Sequence, residues 1–245
     1  YVNDISFLAS LYEKNDYDRC INMIPENMQA YFRSIFEEAA FKWDGINRVY
    51  GKTGKEILDY IRLVSPDFKL ANTFEIEDVR YFEVAYLIRK LANIERVCVL
   101  NLLAEEHDVH LYTYSEVDQS QLPGVHISPP VVTGEATAII YAASKINLNI
   151  SLKGIEGGTP QRIIDIMGAG GFVMSNYCEE TAELFEEDKE IVMFRTPEEL
   201  LEKVDYYLSH DREREQIAKA GHRKVMESYT YEKKVRQLLE WADGE

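Results

Sequence analysis

Gly157-Gly158-Thr159-Pro160 ends a loop and opens a helix, and this turn is the best placed in the chain to do chemistry. Thr159 falls at the N-cap and Pro160 at the first helical position. Unsatisfied N–H groups and the positive end of the helix dipole make such a start an anion site. Inside the helix, Ile163, Ile164 and Met167 define a buried face, while Arg162 and Asp165, three apart, share the opposite one. Arg162, at N3, carries a planar fork suited to phosphate. Asp165 lies one turn deeper, where a carboxylate can accept hydrogen bonds from ribose hydroxyls. The competing reading is an exposed i,i+3 ion pair worth a few tenths of a kcal/mol.

The strand expected over 146–152 leads into this turn. Leu148, Ile150 and Leu152 share one face; Asn147, Asn149 and Ser151 share the other. A strand inside a doubly wound sheet is normally apolar on both faces. One polar face therefore means either a strand bordering a crevice or an edge strand wetted on one side. Lys153 closes the strand and is a candidate second contact to a diphosphate. The turn is neither a GxGxxG fingerprint nor a Walker loop. Gly168-Ala169-Gly170-Gly171 ends the helix and feeds the strand 171–175.

Other reactive side chains are weaker candidates. His107-Asp108-Val109-His110 looks like half a metal site, but sequence places no third ligand beside it, so a structural role is expected. His126 falls in another short strand, and no Ser-His-Asp or Cys-His spacing emerges. Cys20, Cys98 and Cys178 are odd in number and far apart, which reads as reduced thiols of a cytoplasmic protein.

The elements that must hold the turn change character along the chain. Residues 1–74 read as helical, from Phe7, Leu8, Leu11 and Tyr12 and again from Tyr31, Phe32, Ile35, Phe36 and Ala39 at helical spacing. After a long helix over 77–106, short strands alternate with helices to the end of 75–245. Strand candidates begin near Asp108, Val125, Ile146, Gly171 and Glu190. Such alternation indicates a Rossmann-like parallel sheet with helices on both faces. Thr196-Pro197-Glu198-Glu199 is a capping box opening a helix whose stripe is Leu200, Leu201, Val204, Tyr207 and Leu208. Thr230 opens a last helix, with Val235, Leu238 and Leu239 expected on its buried side.

The 245 residues are 46% hydrophobic and 29% charged, enough for a large core. A net charge of −16 argues against nucleic-acid binding, which depends on neutralising phosphates. No apolar run reaches the roughly 18 residues of a membrane span. The chain opens on Tyr1, as expected of a piece of a longer polypeptide.

The stretches 144–150, 158–172 and 175–177, continued by 199–210 and 229–232, resemble the CgeB-like (spore maturation protein type) glycosyltransferases. The resemblance spans about 95–241. It implies the C-terminal half of a GT-B fold, in which two Rossmann-like domains face each other across a cleft and this one holds a nucleotide-diphospho-sugar. It also implies transfer without bound metal or other cofactor. In the related group-1 enzymes a Glu-x7-Glu element occupies this loop and helix, and Asp165 matches its second carboxylate. Glu156 precedes Asp165 by nine positions rather than eight, a departure from that pattern.

The expected function is therefore donor binding for glycosyl transfer through Asn149, Lys153, Gly158, Thr159, Arg162 and Asp165. The acceptor site would lie on a missing N-terminal GT-B domain of the same polypeptide, leaving this part inactive alone. The alternative is a non-catalytic Rossmann-like module whose helical first third docks a partner.

Overall fold

A computed structural model describes residues 1–70, 76–131, 134–155 and 157–243. Glu156 lies outside the described residues. The sheet begins at once. Strand β1 spans Asn3–Leu8 and Leu11 and Tyr12 lie in the connection after it, so the helical reading of Phe7, Leu8, Leu11 and Tyr12 is corrected. Ile5 and Phe7 enter one face of the core while Ser6 and Leu8 face the other. A six-residue run buried on both sides offers helical and strand spacing alike, and strand pairing decides the outcome.

The α-helices that follow among the described residues are α1 Asp16–Cys20, α2 Glu26–Ala39, α3 Lys55–Val64, α4 Asp78–Phe82 and α5 Arg89–Ala104. A π-helical stretch, Glu83–Ile88, joins α4 to α5. The Tyr17, Phe32, Phe36, Phe68, Phe82 and Tyr86 rings build a separate aromatic core for this region. The remaining strands are β2 Val109–Tyr112, β3 His126–Ser128, β4 Ser144–Asn149, β5 Val173–Asn176 and β6 Val192–Phe194. Between and after them run α6 Glu135–Ala143, α7 Gln161–Gly168, α8 Glu179–Leu184, α9 Pro197–Ser209, α10 Asp211–Ser228 and α11 Tyr231–Asp243.

All six strands are parallel, in the order β3-β2-β1-β4-β5-β6. One face buries Ile5, Phe7, Leu111, Ile146 and Leu148 under Val99, Leu100 and Leu103 of α5 and Leu200, Val204 and Tyr207 of α9. The other buries Val173 and Met193 under Tyr141 of α6, Ile163, Ile166 and Met167 of α7 and Val225 of α10. The expected Rossmann-like sheet with helices on both faces is what forms. Thr196 caps α9 as expected, accepting from the Glu199 amide at 3.2 Å, while the Glu199 carboxylate reaches back to the Arg195 amide at 2.7 Å rather than to that of Thr196. The expected burial of α11 is not. Val235, Leu238 and Leu239 are 53%, 63% and 60% exposed.

The strand order reverses between β1 and β4. In open α/β sheets the crevice beyond the strand ends at such a point is where ligands bind.

Candidate functional site

β4 is neither a wetted edge nor open along its polar face. It is an interior strand whose polar side chains are buried and paired. Asn147 accepts from the Ser6 hydroxyl at 2.9 Å and donates to Tyr141 O and Phe172 O at 2.9 and 3.1 Å. A Cβ on Gly171 would come within 2.7 Å of that amide and 2.8 Å of Tyr141 O, so only glycine lets the chain pass here. Asn149, fully buried, donates to the hydroxyls of Ser151 and Ser175 at 2.8 and 2.9 Å. The Ser151 amide in turn donates to Asn176 at 2.7 Å. Such a network fixes side chains because every buried polar group in it has its partner.

The remaining acceptor of that network, Asn149 Oδ1, takes a hydrogen bond from Arg162 Nη1 at 3.0 Å. Pro160 is the N-cap of α7 and Gln161 its first residue, so Thr159, the expected cap, stands one position before it and Arg162 is at the second helical position rather than the third. Among the described residues no side chain caps the start of α7. Thr159 is instead tied to α8, its hydroxyl accepting from Thr181 at 3.3 Å. Gly158 is exposed with φ +94°, a left-handed conformation that favours glycine.

Across the β1–β4 boundary lies a second guanidinium, which sequence reasoning missed. Arg96 of α5 is buried and donates to Ser10 O and Ile150 O, both at 2.5 Å, clasping the chain just beyond β1 and β4. Its Nε has no partner among the described residues. Burial, reinforced by the nearby Arg162, lowers its pKa to about 10. Burial likewise lowers that of Arg162. Both cations lie near the Phe7 ring, 5.5 and 5.6 Å from its centroid. Every hydrogen-bond partner of the pair among the described residues is a neutral oxygen. The clue in the sequence was the position of Arg96 on the apolar stripe Ala92, Val99, Leu100 and Leu103.

On the other flank of the α7 start a cleft of about 350 Å³ opens, walled by Trp43, Asn47, Ser151, Lys153, Asn176 and Tyr177, with Pro160 at its rim. Lys153 lines it, but its ammonium turns away. Nζ lies 2.6 Å from Glu95 Oε1, donates to Ala39 O and sits 5.5 Å from the Trp43 ring. Burial raises the Glu95 pKa and lowers that of Lys153. Glu179 and Glu180 line the α8 wall, so an anion is better received at α7 than at α8. Asp165 is exposed on the outer flank of α7, in a groove shared with Tyr141, Ile164, Val225 and Tyr229. Desolvation there raises its pKa. The structure thus joins Asn149 to Arg162, places Gly158 and Thr159 at the same helix start, commits Lys153 to Glu95, and separates Asp165 by one turn.

Residues 88–240 match the family described as glycosyl transferase-like, well over half of the chain, and the protein belongs to that family. Comparison with curated proteins gave no match. Among solved structures, HepE of Anabaena in complex with UDP-glucose is similar in fold, with TM-score 0.52 and 14% identity over 62% of this chain. This chain spans 45% of that one. A glycosyltransferase of Rickettsia africae gives TM-score 0.46 and 16% identity, covering 59% of this chain and 42% of its own. Among the described residues no helix is long and apolar enough to cross a membrane.

Proposed function

We propose that this chain holds the donor in glycosyl transfer from a nucleoside diphosphate sugar, as the C-terminal half of a GT-B enzyme of the CgeB-like type. One observation carries the reading. The start of α7, without a side-chain cap among the described residues, stands beside a cleft and two guanidiniums whose hydrogen-bond partners are neutral oxygens, with the carboxylates of Glu95 and Asp165 acting on them only from a distance. A buried charge without a hydrogen-bonded counter-charge is costly, and an anion arriving there offsets that cost. The Gly158–Thr159 turn and Arg162 receive the diphosphate, Arg96 backs them, and Asp165 takes the ribose hydroxyls. Lys153 shapes the cleft wall through Glu95. As the sugar leaves, charge grows on the diphosphate, and preoriented dipoles and guanidiniums stabilise it without a metal. The acceptor and any general base belong to an N-terminal partner domain, and the setting is cytoplasmic.

The exposed apolar face of α11 favours a second reading, a non-catalytic module that docks a partner. Calorimetry of the chain against UDP, GDP and their sugars separates the two. The proposal expects binding to at least one member, with no sugar transferred by this chain alone. Silence from the whole panel overturns it in favour of docking.

A further inference from the structure

The edge of the sheet brings together three side chains with no part in the site above. His110 of β2 and His126 of β3 are register partners in the parallel ladder. Val109 and Leu111 enter the core under α5, so both imidazoles project from the opposite face. The rings stack with centroids 4.8 Å apart and planes 22° apart. Asp108, the residue before β2, turns its carboxylate to both. Its oxygens lie 3.1 Å from His110 Nε2, and Oδ1 lies 3.3 Å from His126 Nε2. One ligand atom from each of the three residues falls within 4.8 Å of the others.

We propose that Asp108, His110 and His126 form a binding site for a divalent transition metal of the zinc type. Zinc takes histidine nitrogen at about 2.0–2.1 Å and carboxylate oxygen at about 2.0–2.2 Å in tetrahedral array, which sets neighbouring donors about 3.4 Å apart. The two nitrogen-to-oxygen separations are already close to that. Drawing the two Nε2 atoms together requires only a tilt of the rings, and His126 is free to make it, its side chain being 66% exposed. Two imidazoles and one carboxylate suit zinc, nickel or copper better than magnesium or calcium. The fourth position faces an open pocket of about 470 Å³ lined by Gln119, Gly124, Val125 and Ser128.

The site sits where β2 and β3 begin, whereas the α7 site lies beyond the ends of β1 and β4. The metal therefore takes no part in donor binding. It pins the three-residue edge strand β3 to β2 and raises stability by binding only the folded chain.

Titration of the metal-stripped, tag-free chain with Zn²⁺ alone tests this. One ion per chain is expected, with a higher melting temperature. His126→Ala, at an exposed position, is expected to weaken binding at least tenfold and to abolish the zinc-induced rise in melting temperature. Asp108→Asn should weaken it as well. Co²⁺ in place of Zn²⁺ should give the intense visible bands of a four-coordinate site, absent in His126→Ala. No zinc uptake, or uptake that His126→Ala leaves intact, overturns the proposal.

Discussion

Asn149 meets Arg162 through an amide oxygen rather than a carboxylate, and this choice leaves the guanidinium without a hydrogen-bonded counter-charge. The same amide donates to two serine hydroxyls, which holds its oxygen toward Arg162. Asn149→Asp keeps the shape and supplies the missing negative charge. It is expected to weaken nucleoside diphosphate binding about tenfold, or 1.4 kcal/mol, by competing for Arg162. Calorimetry on the folded variant checks this, and unchanged affinity would show that Arg162 does not meet the phosphate. Residue types were the most legible part of the site. Arg162, Asn149 and the glycine turn stand out because a guanidinium, an amide and free N–H groups converge on one helix start. Arg96 did not, because a charged residue on an apolar stripe looks like a packing irregularity until the sheet brings it to Ser10 and Ile150.

At the scale of elements, the loop after β4 is tied to α5 by the buried Glu95–Lys153 pair, with side chains 1% and 9% exposed. Glu95 also accepts from the Phe41 amide at 2.9 Å, anchoring the segment that carries Trp43 to the cleft. Removing one partner strands the other charge. Glu95→Ala is therefore expected to cost about 3 to 5 kcal/mol, while Glu95→Leu with Lys153→Met recovers most of it. Urea unfolding measures both, and a single substitution costing under about 1 kcal/mol would contradict a buried pair. The alternation of Asn and Leu in β4 was legible because period two survives burial. Its meaning was not, since an internal network and a wet edge leave the same pattern. β1 escaped recognition for the related reason that a short run buried on both faces has no distinctive period. Apolar spacing in α11 likewise predicts a buried face wherever one exists, but no element among the described residues covers it.

For the whole molecule, the strand order places the arginine pair at the reversal point between β1 and β4, which no local pattern reveals because β1 and β4 are about 140 residues apart. A chain of net charge −16 repels anions at long range, so binding a diphosphate demands a local concentration of positive charge. The α7 start with Arg162 and Arg96 supplies it. The most direct test compares the affinity of wild type and Arg162→Ala for the nucleoside diphosphate bound most tightly, at matched salt and with folding verified by melting temperature. Loss of the charged contact is expected to weaken binding by about 1.5 to 3 kcal/mol, a rise in Kd of roughly ten- to more than a hundredfold. Equal affinity in the two proteins would contradict the assignment of the diphosphate to this helix start.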